Sequence, residues 1–291
     1  MGLMAAMPAL AQATFPGANG SIAYTGFPGP GDSEVFSLQL GSGNPLQLTS
    51  DTAGQGEPSY SPNGRRIAFA QSGPGMTAEI WTMRSDGTDP KQVTGGHVDA
   101  HPAYSPDGHT LVFGRDGGIA RVRTDGTHLR RLTKANGNLL YDYQPTWSPT
   151  GRLIAFSSNR IDKHSAITDV WVMRADGTHK RNLTRSKSIF DLSPEFSPSG
   201  GSIIYASERG GHSKIWLMRS SGRRRHRLAL SGSFSEQGDP VISPNGRRIV
   251  FRSNSEFGTK EGLFTAPSSG GAAVRIGAGA DLAGEVTWQS R

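Results

Sequence analysis

Six polar residues occupy the same place in a repeated segment of this 291-residue chain. The segment reads EPSYSPNGRRIAF, HPAYSPDGHTLVF, QPTWSPTGRLIAF, SPEFSPSGGSIIY and DPVISPNGRRIVF, and a shorter copy, EVTWQS, ends the chain. Its first residue changes every time: Glu57, His101, Gln144, Ser193, Asp239 and Glu285. Carboxylates beside imidazole and amide groups can exchange protons, bind a cation or bind a basic peptide. These six residues are therefore the first candidate site.

Two further sets of polar residues accompany them. Two positions upstream of the changing residue stand Asp99, Asp142 and Asp191. Loops that follow the repeated segment carry Arg160, Arg209 and Arg252. Arginines at such a place can bind the carboxylate or sulfate of an anionic saccharide, or can brace their own loops. Both interpretations stay open, and all twelve residues are taken as candidate ligand-binding residues.

Three interpretations of the site compete. The six residues could form a hydrated polar opening without a ligand, a recognition surface for a protein or peptide, or a metal site. Oxygen ligands with one imidazole suit a divalent cation such as calcium. We predict a protein-binding or scaffold module with no assigned catalytic residue and no obligatory cofactor. The alternative is a secreted metal-dependent lyase or glycosidase that acts on acidic saccharides.

The repeat also predicts the elements that must position these residues. One aromatic ends the second strand of each copy, at Tyr24, Phe69, Phe113, Phe156, Tyr205 and Phe251. Pro-Asn-Gly and Asp-Gly turns separate four short strands, named a to d, in each copy, and the changing residue is expected immediately before strand a. Four strands in a period of about 45 residues are typical of a β-propeller blade. The prediction is an all-β, six-bladed propeller with four antiparallel strands per blade.

The two ends of the chain predict how the ring closes. The first copy begins at strand b, GSIAYTG, and the last copy is a lone strand a, GEVTWQS. Pairing these two strands completes one blade and removes an exposed sheet edge. We therefore expect the C-terminal strand to close the ring. In each blade the short a–b and c–d turns lie on one face, and the variable b–c and d–a loops lie on the other.

Composition narrows the function classes. The chain has no cysteine, which excludes a thiolate metal site and a cysteine nucleophile. A net charge of +7 favours anionic partners, but the arginines stand beside turns without interleaved aromatics. Specific nucleic-acid recognition is therefore not expected. No apolar segment reaches the length of a membrane span. We also expect the protein to be a monomer.

The N-terminal residues resemble an export signal. An apolar stretch precedes the small-residue pattern AQA at Ala11–Ala13. We predict that residues 1–13 are a truncated signal peptide and that residues 14–291 form the propeller. That interpretation implies a periplasmic or secreted protein. Its expected partner is an envelope or extracellular protein or peptide.

One stretch resembles a known family. The segment WSPTGRLIAFSSNR, followed by DVWVMRADGTHKRNLT, is similar to the WD-like repeat of the six-bladed propeller in TolB-type periplasmic proteins. The resemblance covers nearly all of residues 14–291 and implies the propeller fold and an envelope location. The α/β domain that precedes the propeller in TolB itself has no counterpart here, so a role in the Tol system is not carried over.

Overall fold

The computed structural model describes residues 17–29, 32–41, 44–73, 75–134, 141–160, 167–186, 189–232, 234–255, 261–277 and 281–290. These residues form six four-stranded antiparallel sheets arranged as the blades of a propeller. The described part of the chain contains no helix, and so none that could cross a membrane. The predicted fold class is confirmed. The predicted signal peptide, residues 1–13, lies outside the described residues.

The strands follow the predicted order within each blade. Blade 1 contains β26 with β1–β3, blades 2 to 5 contain β4–β7, β8–β11, β12–β15 and β16–β19, and blade 6 contains β21, β22, β23 and β25. A short parallel pair, β20 with β24, joins the outer edges of blades 5 and 6. Their bounds are β1 Asn19–Gly29, β2 Asp32–Leu38, β3 Leu46–Gln47, β4 Gln55–Tyr60, β5 Arg66–Ser72, β6 Ala78–Arg84, β7 Lys91–Gln92, β8 Asp99–Tyr104, β9 Thr110–Arg115, β10 Gly118–Arg123, β11 Arg130–Arg131, β12 Asp142–Trp147, β13 Leu153–Ser158, β14 Asp169–Arg174, β15 Arg181–Asn182, β16 Phe190–Phe196, β17 Ser202–Arg209, β18 His212–Arg219, β19 His226–Arg227, β20 Leu230–Ser231, β21 Phe234–Ile242, β22 Arg248–Ser255, β23 Glu261–Pro267, β24 Gly271–Ala272, β25 Val274–Ile276 and β26 Asp281–Ser290.

The last strand closes the ring as predicted. β26 pairs with β1 antiparallel, with Trp288 opposite Ile22 and Val286 opposite Tyr24. The Trp288 Nε1 donates a hydrogen bond to the backbone oxygen of Gly20 at 3.3 Å. The first and last described strands are thus held in one sheet.

The core is a ring of clusters between neighbouring blades. The six repeated aromatics lie within strand b rather than at its end, and they are no more than 1% exposed. One cluster joins blades 2, 3 and 4, and further clusters join blade 4 to 5, 5 to 6, 6 to 1 and 1 to 2. Trp81, Trp171 and Trp216 pack against these clusters as half-buried side chains. Apolar burial of this kind is the main stabilising term in folding.

The tight turns have the predicted backbone. Gly64, Gly108, Gly151 and Gly246, which follow Ser-Pro-x, have φ of +65°, +73°, +67° and +73°. The c–d turn glycines of blades 2 to 6 also have positive φ and stand against the preceding blade: a Cβ on Gly177 would stand 2.8 Å from the Leu132 carbonyl oxygen. These five c–d turns are therefore parts of joints between blades.

Candidate functional site

The changing residue of the repeat lies inside strand a rather than before it, at a β-bulge. In the pairing of β4 with β5, Gly56 faces Ala70 and Ser59 faces Ala68, so Glu57 and Pro58 together oppose Phe69. Four other blades show the same register shift at their X-Pro pair. A bulge accepts proline, which has no N–H for the ladder, and re-aims the neighbouring side chain.

The bulge puts these residues in the left-handed region of backbone conformation. Their φ values are +57° at Glu57, +55° at His101, +51° at Gln144, +50° at Ser193 and +46° at Asp239. Non-glycine residues held there cost about 1–3 kcal/mol each, and they cluster at functional sites. Glu285 precedes valine instead of proline and is not among the described residues with positive φ.

The six side chains converge on the propeller axis, and we call them the axial ring. The His101 Nε2 lies 3.3 Å from Glu57 Oε1 and 3.2 Å from Glu285 Oε1. The backbone N–H of His101 also donates to Glu57 Oε2 at 2.6 Å. Gln144 Nε2 donates to Glu285 Oε1 at 3.1 Å. Because Gln144 belongs to blade 4 and Glu285 to blade 1, this hydrogen bond runs across the axis.

The other half of the axial ring is hydrogen-bonded in the same way. Gln144 Nε2 also donates to Ser193 Oγ at 3.0 Å, and Ser193 Oγ donates to Asp239 Oδ1 at 2.7 Å. Arg252, from strand b of blade 6, donates from Nε to Asp239 Oδ2 at 3.0 Å. The axial ring therefore joins three carboxylates, one imidazole, one amide and one hydroxyl, and the guanidinium of Arg252 contacts it.

The axial ring separates two cavities. On the variable-loop face a depression of about 450 Å³ is lined by Glu57, His101, Glu285 and Arg252, and by strand-end residues including Phe27. On the other side a chamber of about 120 Å³ is lined by the following residues of strand a, among them Ser59 and Thr146. A partner that enters from the variable-loop face meets the ring at the floor of the depression.

The upstream acidic residues do not join the axial ring. Asp99 is fully buried, and both of its oxygens pair with Arg115, at 2.6 Å to Nε and 2.5 Å to Nη2. Asp142 is paired with Arg160 and accepts a hydrogen bond from Ser158 Oγ at 2.6 Å. These carboxylates, with their arginines, brace the ends of strands a and b.

Blade 5 departs from this pairing. Asp191 is fully buried and accepts a hydrogen bond from Ser186 Oγ at 2.7 Å, while its Oδ1 has no hydrogen-bond partner among the described residues. Arg209, which stands where Arg160 stands in blade 4, instead lies over the Trp216 ring at 3.9 Å from the centroid. Of the three predicted arginines, Arg252 is the one that reaches the axial ring.

The charges of the axial ring shift two pKa values. Removal from water raises the pKa of the Glu285 carboxyl from 4.5 to about 7; His101 opposes this shift, and Glu57 and Asp239 add to it. Burial alone would lower the pKa of His101, but the carboxylates of Glu285, Glu57 and Asp239 outweigh it and raise that pKa above 6.5. Both groups therefore keep their protons to a higher pH in the folded protein than they would in water.

The predicted cation remains a prediction. Among the described residues, no group of three or more histidine, aspartate or glutamate side chains has an arrangement that could hold a metal ion. In the axial ring, the acidic oxygens already face His101, Gln144, Ser193 and Arg252.

The fold and the repeat match one known family. The model of the TolB beta propeller domain matches residues 6–163 and 140–265. The chain belongs to the TolB β-propeller family. The predicted resemblance is thereby confirmed.

Individual TolB proteins show the same likeness. The chain is 30% identical over 161 residues to the protein TolB homolog of Chlorobium luteolum, which covers 53% of this chain and 34% of that protein. It is 33% identical over 143 residues to the Tol-Pal system protein TolB of an Anaeromyxobacter species, covering 47% of this chain and 30% of the relative. The crystal structure of TolB from Acinetobacter baumannii matches with a TM-score of 0.77 at 19% identity, over 94% of this chain and 67% of that one. The chain thus spans about a third of the length of these curated relatives.

The pKa shifts predict how the stability of this TolB-family propeller depends on pH. Between 4.5 and about 7 the folded state holds a proton on Glu285 that the unfolded chain has released. Stability must therefore fall as pH rises through that range, and His101 acts with the same sign above 6.5. We expect a higher Tm near about pH 5 than near about pH 8, and a flatter profile in Glu285→Gln.

Asp86→Asn is the matched control for that measurement. Hydrogen bonds from Thr88 lower the pKa of Asp86 below 3.8, so its ionisation lies outside the pH range concerned. Thermal melts across the range should show the wild-type slope in this variant. An unchanged slope in Glu285→Gln would contradict the raised pKa of Glu285.

Proposed function

We propose that this chain is an exported TolB-family propeller that binds a protein or peptide segment in the depression above the axial ring. The observation that carries the proposal is the repeated bulge, which aims polar side chains from five separate blades at one point. A ring that only needed to close could place extended small residues there. Backbone strain repeated at one cluster is typical of a binding or active site.

The charges of the depression define the partner's chemistry. Glu57, Asp239 and Glu285 supply acidic oxygens, and Arg252 already pairs with Asp239. A basic or amide-rich segment can donate to these oxygens and replace the bonds that they now make to Gln144, Ser193 and His101. The half-exposed Phe27 at the edge offers an apolar contact for the same segment.

Location and biological setting are part of the proposal. The AQA pattern supports export to the periplasm or beyond, where an envelope protein would be the partner. The Anaeromyxobacter relative is named a Tol-Pal system protein. Because the likeness spans only part of that relative, its Tol-Pal role is not carried over, and the proposal for this chain is limited to binding an envelope protein.

A triple variant tests the binding proposal. Glu57→Gln, Asp239→Asn and Glu285→Gln together keep the size of the side chains and remove their charge. Peptides selected from a random library on the immobilised wild-type protein should bind this variant at least about tenfold more weakly, because charge pairs across an interface are lost. Isothermal titration of the selected peptides provides the measurement.

The control variant removes the same charge from the opposite face. Asp86→Asn, Asp125→Asn and Asp176→Asn lie in the c–d turns, where asparagine can still accept the hydrogen bond from the turn threonine. Binding should be unchanged in this variant. Equal binding by both variants, or no selectable peptide that competes for the depression, would overturn the proposal.

A further inference from the structure

The c–d turn of blade 5 is basic, whereas those of blades 2, 3 and 4 are acidic. Blades 2, 3 and 4 have Asp-Gly-Thr at this turn, and the aspartate accepts hydrogen bonds from the threonine N–H and hydroxyl. In blade 5 the corresponding residues are Ser221, Gly222 and Arg223, followed by Arg224. An acidic turn has therefore become a basic one.

The fold does not require this change. In blade 5 the Gly222 N–H still donates to the Arg219 oxygen at 2.8 Å, and the Arg219 N–H donates to the Arg223 oxygen at 2.9 Å. Gly222 has φ +84° and Arg224 has φ +56°, close to +86° at Gly177 and +54° at His179 in blade 4. The same turn geometry forms with either charge, so the fold of this turn does not require the arginines.

Neighbouring arginines enlarge the basic region into a patch. Arg181 of blade 4 donates from Nη1 to the Ser221 oxygen at 3.1 Å, which places strand d of blade 4 against this turn. We define the arginine patch by six exposed residues: Arg181, Arg185, Arg219, Arg223, Arg224 and Arg227.

The arginine patch carries uncompensated charge. Among the ion pairs of the described residues, none includes a member of the patch. In blade 2 the equivalent region is paired, because Arg66 and Lys91 both contact Asp89. Unpaired cations gathered on one rim create a field that attracts anions.

We propose that the arginine patch docks the propeller onto an anionic phospholipid surface. Guanidinium groups bind phosphate oxygens through paired N–H donors. Arg181 and Arg227 lie in the edge strands β15 and β19, Arg223 and Arg224 lie in the c–d connection, and Arg219 ends β18. The large exposed apolar side chains of the described residues lie elsewhere in the sequence. Nucleic-acid strands are usually held by stacking on aromatic side chains, whereas basic clusters adsorb to anionic headgroups by charge alone. This inference is independent of the binding proposed at the axial ring.

Vesicle binding by the full chain tests the proposal. The wild-type protein should sediment with phosphatidylcholine vesicles that contain phosphatidylglycerol, should not sediment with pure phosphatidylcholine, and should be released by added salt. Ser221→Asp, Arg223→Thr and Arg224→Asp together restore the blade 2 turn sequence and should weaken the association roughly tenfold or more.

A control with the same change in net charge separates the patch from general attraction. Arg65, Arg84, Arg123 and Arg130 are exposed residues of blades 2 and 3. Changing all four to threonine should leave most of the vesicle binding in place, and unchanged melting temperatures should show that both variants fold. Equal weakening by the two variants, binding to pure phosphatidylcholine, or tighter binding to single-stranded DNA than to anionic vesicles would each overturn the proposal.

Discussion

Removal of residues 284–291 is expected to lower the free energy of unfolding by several kcal/mol, a large share of the ~5–15 kcal/mol available to a domain. The deletion takes away most of β26, so that β1 loses its inner partner and blade 1 loses its strand a. It also opens the cluster in which Trp288 and Val286 pack against Ile22, Tyr24 and Val250. Chemical denaturation measures the loss of unfolding free energy. It should be followed by far-UV circular dichroism, because the deletion removes Trp288 and so alters tryptophan fluorescence.

A pair of point variants separates closure from general truncation. Trp288 is 4% exposed. Trp288→Ala should lower the free energy of unfolding by about 3–5 kcal/mol, because a large cavity remains. Leu46 in the outer strand of the same blade is 60% exposed, and Leu46→Ala should have little effect. A truncated protein with an unchanged Tm would contradict the observed seam.

The second large effect is expected at Gly64. Gly64 and Gly246 stand in identical Ser-Pro-Asn-Gly-Arg-Arg turns and have φ of +65° and +73°. A Cβ on Gly64 would lie 2.5 Å from the backbone oxygen of Ser290, in the closing strand, whereas a Cβ on Gly246 would meet no atom within 4 Å. Gly64→Ala should therefore combine backbone strain with overpacking and cost about 2–4 kcal/mol.

Gly246→Ala is the matched control, because it adds the strain without the overlap. We expect it to cost about 1 kcal/mol. The difference between the two variants, measured by denaturant unfolding, reports the contact between the a–b turn of blade 2 and β26. Equal losses in both would mean that this contact is not maintained in solution.

The blade count and the ring closure could be predicted from the sequence because both depend on local patterns. The aromatic of strand b, from Tyr24 to Phe251, recurs with the period of one blade, and the Asn-Gly and Asp-Gly turns separate the strands. The seam was visible because one copy begins at strand b and another ends after strand a. Each of these features can be recognised without knowing what packs against it.

The axial ring was predictable as a position but not as a geometry. Equivalence within the repeat places Glu57, His101, Gln144, Ser193, Asp239 and Glu285 at one level of the propeller. The bulge that turns five of them toward the axis was not predicted, since they were expected to precede strand a. A signal was available in the X-Pro pair, because proline inside a paired strand requires a bulge or an edge.

Only the tertiary structure decided which polar residues belong together. Asp99 and Asp142 looked equivalent to the ring residues in sequence, yet they pair with Arg115 and Arg160, which follow them by 16 and 18 positions. Glu285 contacts Gln144 across the axis at a sequence separation of 141 residues. The direction of a side chain depends on register, bulge and the neighbouring strand, and these are properties of the paired sheet and the closed ring rather than of the residue types. The sequence could therefore identify the candidate residues, but only the closed ring determined which six side chains come together.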